Sequence, residues 1–545
     1  HGPLTSIKET SKIAIRKTLQ VYRKATPKKS FAAQTRARTG DFGSRAAAQR
    51  MFKSAGTLRQ LPAGDRPLAS AMPALPLRLT AALFALVLLT PAIRADTLPP
   101  PLTASLARAS IPDDAVTVWV NKVDGGTPLL SHRIDEPMNP ASVMKLVTAQ
   151  VALARLGPAF TWKTRVMTPG EIRAGVLHGP LHISGGGDPR LSRERLWLLL
   201  RDLRAQGIRR IAGDVVTDRS LFRLPPHDPG AFDQRPLRPY NAGADALSVD
   251  YGAIRLRVQP TADGARVFSD PQPAGLVIEN RIRRNGNGAC GDPTARLTTE
   301  ASDTGTHTTL SLGGTIAASC TDAFDWNLAP LPPGRLFEGL FRSLWKELGG
   351  EIGGQFKDGS APPEARLLAE TISPPLPEVL RDMNKWSNNV IARHLLATLG
   401  ATEEPGEDSV AAGRRVVERS LAASGIDTRG FVIDNGAGLS RNARISARSL
   451  GQLLQEAWRS PTMPELLASL PIAGIDGTAR RRLAGSSAAG LAHVKTGTLD
   501  GVRSIAGYVQ AHSGQRYAVV LMINHPNAGS ARDAQDALME WVAGL

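Results

Sequence analysis

The chain has 545 residues, of which 42% are hydrophobic and 21% charged, with a formal net charge of +17. That composition is ordinary for globular protein, and the length exceeds what one core can fill. Residues 1–71 hold 15 Lys or Arg against three Asp or Glu, a net of +12, which leaves about +5 on the other 474 residues. The main body is therefore only mildly basic, its charge selects no partner, and no nucleic-acid partner is expected.

Residues 1–71 show no sustained apolar period and read as a disordered basic extension foreign to the fold. Met72 then leads through Arg78 into the apolar run Leu79–Leu89, followed by Pro91 and the small-residue site Ala92–Ala95. A basic lead, a short apolar run and a small-residue site predict a Sec signal peptide over 72–95 and a natural start at Met72. The run falls short of the roughly 20 residues of a membrane span. A periplasmic or otherwise exported protein follows, and the even pair Cys290 and Cys320 then reads as a disulfide, worth roughly 3 kcal/mol in the chain-entropy model. No Cys-x-x-Cys or His-Glu-x-x-His spacing supports a metal site, and no cofactor is expected.

Val116–Val120 alternates like a strand with one buried face, Asp124-Gly125-Gly126 supplies a turn, and Pro128–His132 can return as a second strand. Pro140 near the first helical position opens a helix through Val143, Leu146 and Val151 to a stop at Leu156-Gly157-Pro158. From about 165 to 335 short strand-like runs (181–184, 254–258, 276–282, 308–312) alternate with turns. One helix, Arg193–Gln206 capped by Ser192, interrupts them. Helices return over 336–348, 376–399, 409–424, 450–458 and 464–470. The chain closes with strands around 494–497, 504–510 and 517–523 and a helix over 531–542. Strands at both ends imply one sheet built from both termini. The expected fold class is α/β, multi-domain. An antiparallel sheet flanked by helices is formed by 96–168 and 335–545, and 169–334 is an inserted, mostly β region of two subdomains.

Three short motifs carry chemistry. Ser142-Val143-Met144-Lys145 places a hydroxyl and an amine three apart on one helix face. A hydroxyl needs a nearby base to become a nucleophile, and Lys145 can be that base if burial or another cation lowers its pKa. Alone, Ser-x-x-Lys is a chance match in most long chains. Ser387-Asn388-Asn389 presents, from a tight inter-helix turn, a hydroxyl to relay a proton and an amide to hold a substrate, although Ser and Asn are equally favoured as helix caps. Lys495-Thr496-Gly497-Thr498 lies on a predicted strand. Lys495 can depress Lys145 and attract a carboxylate, Gly497 lets the backbone lie close to a bound peptide, and the strand edge can pair with that peptide. Backbone N–H groups of Ser142 and Thr498 would form an oxyanion hole. The glycine-rich run Gly286-Asn287-Gly288-Ala289-Cys290-Gly291 lacks the following helix that a dinucleotide site needs.

Ser-x-x-Lys, Ser-x-Asn and Lys-Thr-Gly in that order are the signature of penicillin-binding proteins and serine β-lactamases. Over about 100–545 the chain resembles the low-molecular-mass class C penicillin-binding proteins, the S13 peptidase family of D-Ala-D-Ala carboxypeptidases and endopeptidases. Further matching segments are Ser184–Pro189, Met383–Asn389, Asp434–Arg441, Gly474–Thr478 and His493–Gly497. The gap from Ser142 to Ser387 is also similar, since this family carries a large insertion in its transpeptidase-like domain. The resemblance implies a serine peptidase acting on peptidoglycan stem peptides through an acyl-serine, with β-lactams as acylating inhibitors and at most a loose membrane association. It implies Ser142, Lys145, Ser387, Asn389 and Lys495 as catalytic residues and Thr496, Gly497 and Thr498 as substrate-binding. Arg441 is expected to hold an acidic group of the stem peptide. The rival readings are a serine β-lactamase or esterase of the same fold and a non-catalytic peptidoglycan-binding protein.

Overall fold

The computed structural model describes residues 97–285 and 288–545. The basic extension 1–71, the leader 72–95 and the start of the glycine-rich run at Gly286 lie outside the described residues.

A five-stranded antiparallel sheet joins the two ends of the chain, in the order Ala492–Leu499, Val502–Gln510, Arg516–Asn524, Val116–Lys122, Leu130–His132. Trp119 pairs with Val520 and Lys495 with Ala506. The first strand differs from its expected half-buried alternation: every residue from Val116 to Asn121 is buried. The cause is a helical layer on each face. Val116, Val118 and Val120 pack with Leu102 of helix Pro100–Arg108 and Leu538 and Val542 of helix Arg532–Ala543. Trp119 faces the other way, into a cluster with Leu146 of helix Met144–Leu156 and Leu450 and Leu454 of helix Ala447–Arg459. Full burial of one such aliphatic side chain stabilises by about 1.5–3 kcal/mol, so two apolar layers fix which way each residue of the strand points.

Among the described residues, the middle of the chain builds four further sheets. One runs Phe356–Asp358, Val215–Asp218, Leu181–Ser184, Lys163–Thr168, Arg366–Ile372. Helix Arg193–Ala205, capped by Ser192 as expected, and helix Pro333–Glu347 pack with these sheets. One cluster spans Val166, Leu181, Leu199, Leu256, Leu310, Phe337, Phe341 and Leu368. The expected limits of the middle segment, 169 and 334, thus fall inside its own core. The antiparallel pairing of 163–168 with 366–372 brings in a strand on each side, and the apolar face of 333–347 brings in that helix. Cys290 and Cys320 are joined by a disulfide with their Cα atoms 4.8 Å apart.

Candidate active site

The nucleophile turn is fixed before any chemistry. Asn139 accepts from the Ala141 N–H at 2.9 Å through Oδ1, donates Nδ2 to the Ser440 carbonyl at 2.8 Å, and exchanges two main-chain bonds with the Asn524 amide. Ala141 has φ +46°, a left-handed conformation unfavourable for alanine and held here by these contacts. Ser142 follows in a 3-10 turn, Ala141–Val143, that leads into helix Met144–Leu156. Gly438, at φ +71°, lies against this turn so closely that any Cβ would collide with the Ala141 carbonyl.

Lys145 Nζ is 3.0 Å from Ser142 Oγ, 2.7 Å from Asn389 Oδ1 and 2.6 Å from the Ala437 carbonyl. All three ammonium donor positions are thus directed, and the side chain is fully buried. Burial, with Lys495 and Arg393 as like charges, holds the Lys145 pKa well below the usual lysine value. The segment Asp434–Arg441 serves to place the Ala437 carbonyl, since Asn435 accepts from the Ala437 N–H at 3.0 Å and donates to the Leu439 carbonyl at 2.8 Å.

The stretch 376–399, expected to be helical, is two helices, Leu376–Trp386 and Asn389–Glu403, that meet at the inter-helix turn expected of the Ser387-Asn388-Asn389 motif, with Ser387 in the left-handed region at φ 57°. Asn388 does the capping, accepting from the Ile391 N–H at 3.1 Å. That frees its two neighbours: Ser387 Oγ accepts from Lys495 Nζ at 2.9 Å, and Asn389 reaches Lys145 while giving Nδ2 to the Tyr240 carbonyl at 3.2 Å. Ser387 bonds Lys495, whereas Lys145 turns to Asn389 and Ala437. The turn is bolted to the segment Gly474–Thr478 by Lys385, whose ammonium lies 2.6 and 2.9 Å from the Asp476 carboxylate.

Lys495 is fully buried on the edge strand of the terminal sheet, bonded to Ser387 and to the Thr496 carbonyl at 2.6 Å. Burial brings its pKa down to about 7. The outer edge of this strand is met by Pro471–Ala473, through Ala473 N–H to the Ala492 carbonyl and Val494 N–H to the Pro471 carbonyl. Because strand groups alternate, the N–H groups of Thr496 and Thr498 point to the same edge, beside Ser142. Gly497 faces elsewhere than expected: a Cβ there would stand 2.6 Å from the Pro140 carbonyl and 3.0 Å from the Ala141 Cβ. It lets the strand lie against the nucleophile turn of its own chain.

One cavity of about 500 Å³ is lined by Ser142, Ser387, Thr496 and Thr498 together with Thr478 and a group of arginines. Ser387 also lines a second cavity, with Asn389, Tyr240 and Trp386. Arg441 lies outside both. Its guanidinium donates to the Asp500 carbonyl at 2.9 Å and stacks over Phe232 with 5.0 Å between the guanidinium carbon and the ring centre. Sequence reasoning gave no role to Asn139, Arg393, Asp476 or Tyr240, whose partners lie far away along the chain.

A lysine of depressed pKa within reach of a hydroxyl is how a serine becomes an acylating nucleophile, which places the chain among the active-site-serine acyl-transfer enzymes. More particularly, residues 100–545 match the model of the D-Ala-D-Ala carboxypeptidase 3 (S13) family, and the chain belongs to that family of serine-type peptidases. It is 31% identical over 467 residues to the D-alanyl-D-alanine carboxypeptidase of Actinomadura sp. (strain R39), covering 81% of each chain. It is 27% identical over 405 residues to the D-alanyl-D-alanine carboxypeptidase DacB of Haemophilus influenzae, covering 72% of this chain and 81% of that one. The crystal structure of penicillin binding protein 4 from Haemophilus influenzae shares the fold, with a TM-score of 0.66 and 24% identity over 80% of this chain and 99% of that one.

Proposed function

We propose that this enzyme cleaves the peptide bond following a D-alanyl residue in peptidoglycan stem peptides, and that β-lactams acylate the same serine. The observation that carries the reading is the 3.0 Å contact between Ser142 Oγ and a fully buried Lys145 whose pKa is depressed. Neutral Lys145 takes the proton as Ser142 Oγ attacks the carbonyl carbon. The oxyanion lies between the N–H groups of Ser142 and Thr498, where one such donor is worth about 2.7–4 kcal/mol. Ser387, bonded to Lys495, delivers a proton to the leaving amine as the C–N bond breaks, and Lys495 reprotonates Ser387. Before deacylation the proton that Lys145 took from Ser142 passes to solvent and Lys495 regains one from solvent; neutral Lys145 then takes a proton from the attacking water and delivers it to Ser142 Oγ as the ester bond breaks.

Asn389, held between Lys145 and the Tyr240 carbonyl, keeps one amide hydrogen for the acyl-side peptide. The Thr496 and Thr498 hydroxyls receive the carboxylate on the leaving side. We assign no substrate contact to Arg441, because Asp500 and Phe232 occupy it. Export through the leader 72–95 agrees with a substrate outside the cytoplasm. Among the described residues no helix is long and apolar enough to cross a membrane. Ser142→Ala is the test: it abolishes both D-alanine release and covalent labelling by a fluorescent penicillin, whereas retained labelling contradicts the assignment.

A further inference from the structure

Ser387 is the common wall of the reaction cleft and of the second cavity, whose volume of about 370 Å³ suits a small ligand. One side of this cavity is the turn between helices Leu376–Trp386 and Asn389–Glu403. The other side comes from the middle segment, through Tyr240, Tyr251, Arg255 and Asn327. The acylation chemistry uses the side chains of Ser387 and Asn389 alone among these residues, so most of the cavity has no task in it.

Two aromatic rings of its lining stand open to solvent. Trp386 is 67% exposed, the highest value of any large apolar side chain among the described residues, and Tyr240 is 38% exposed. The Tyr240 hydroxyl is held by Asp233 at 2.7 Å, whereas the Trp386 indole N–H has no acceptor among the described residues. A ring face laid on this indole would remove a large apolar area from water. Asp250 and Tyr251 are successive left-handed residues, at φ 49° and 58°, a costly arrangement without glycine and of the kind kept at ligand clamps. Arg193 fixes it, pairing its guanidinium with the Asp250 carboxylate at 2.7 Å and donating its main-chain N–H to the same group at 3.1 Å. The Asp250 charge is thus already matched. The polar groups left over are the Arg255 guanidinium, the Asn327 amide and Asn388 Nδ2, none of which has a partner among the described residues. That set is chemically narrow. Aromatic faces pack on the C–H face of a sugar ring, while planar amides and a guanidinium pair with its hydroxyl and acetamido groups. An acidic peptide would call for more than one unmatched cation, and an apolar ligand would leave three polar groups covered without partners.

We propose that this cavity is a glycan subsite, which binds an N-acetylated sugar of the strand to which the stem peptide is amide-linked, so that glycan-attached stems are processed in preference to free peptides. The proposal rests on the Ser142 reading and adds a second recognised part to its substrate. Trp386 and Tyr240 take the ring face, and Arg255 and Asn327 take the hydroxyl and acetamido groups. Four stem residues on the acyl side reach at most about 14 Å, so a sugar joined to the stem stays close to a cleft that shares Ser387 with this cavity.

The test compares kcat/KM for a disaccharide-linked stem pentapeptide and for the free pentapeptide, in the wild type and in Arg255→Ala/Asn327→Ala. The wild type should prefer the linked substrate about tenfold, and the double variant should lose most of that preference. Raising the ionic strength leaves the wild-type ratio unchanged, because the sugar carries no charge. The peptidoglycan disaccharide without a stem alters tryptophan fluorescence in the wild type and not in Trp386→Phe. Equal kcat/KM for the two substrates, a preference untouched by the double variant, or one that collapses in high salt overturns the proposal. A free stem tripeptide that gives the Trp386 signal in place of the disaccharide overturns it as well. Labelling by a fluorescent penicillin reads the Ser142 assignment separately, so a fully labelled wild type without the preference refutes the glycan subsite alone.

Discussion

Gly497→Ala isolates the closeness of the edge strand to the nucleophile turn. Gly497 lies within the strand Ala492–Leu499 and does not have positive φ, so alanine meets no backbone strain there. The added methyl would collide with Ser504 Oγ and stand 2.6 Å from the Pro140 carbonyl. Ordinary carbon contacts begin near 3.5 Å, so the strand and the turn must part by about 1 Å. That separation moves the Thr498 N–H away from the oxyanion position and Lys495 away from Ser387. A misplacement of about 1 Å can cost a hundredfold in rate, or about 2.7 kcal/mol. The expected outcome is a fall of about two orders of magnitude in the second-order rate of acylation by a fluorescent penicillin, with the melting curve still cooperative. Adding Ser504→Ala restores little, because the Pro140 carbonyl is main chain and cannot be removed. A Gly497→Ala enzyme acylated at the wild-type rate refutes the reasoning.

Lys145→Met removes the base while keeping the stem, and acylation should fall by about two to four orders of magnitude in stopped-flow labelling. Lys495→Met removes a like charge beside Lys145; the Lys145 pKa then rises, and the acid limb of the pH–rate profile moves to higher pH in steady-state assays. The same change should stabilise the fold in mildly acidic solution. Lys495 titrates at about 7 when folded against 10.5 when unfolded, so the unfolded chain binds more protons between those values and wild-type stability climbs as pH rises through them. Below that window the buried charge costs up to about 5 kcal/mol, offset in the variant by two lost hydrogen bonds of about 1 kcal/mol each. Thermal melts at pH values on both sides of the window check the sign. Cys290→Ser/Cys320→Ser opens a loop with a sequence separation of 30 and should lower stability by about 3 kcal/mol in denaturant titrations while leaving acylation unchanged.

What the sequence made legible was local or ordered along the chain: the Ser192 cap, the sheet built from both termini, and three motifs whose order pointed to one cleft. What it hid depended on distant partners. The motif pointed to a turn at Ser387, but nothing local predicts its left-handed backbone, which is unfavourable for serine by about 1–2 kcal/mol. It is held by Lys385–Asp476, Asn384–Ser469 and Lys495–Ser387, contacts 85 to 108 residues apart in sequence. Gly497 read as room for a ligand because the Pro140 turn that fills the space lies more than 300 residues earlier. The strand pair 163–168 and 366–372 was invisible for the same reason, and with it the extent of the middle segment. Arginine next to a recognised motif suggested a substrate contact at Arg441. Its guanidinium is held instead by the Asp500 carbonyl and the Phe232 ring, partners 59 and 209 residues away in sequence.

The most direct measurement is intact-mass spectrometry of the protein after reaction with benzylpenicillin, followed by peptide mapping. The account predicts one penicilloyl group per chain, carried on Ser142 and absent from Ser142→Ala. An adduct on Ser387 or on any other side chain, or a wild-type protein left unmodified, contradicts it.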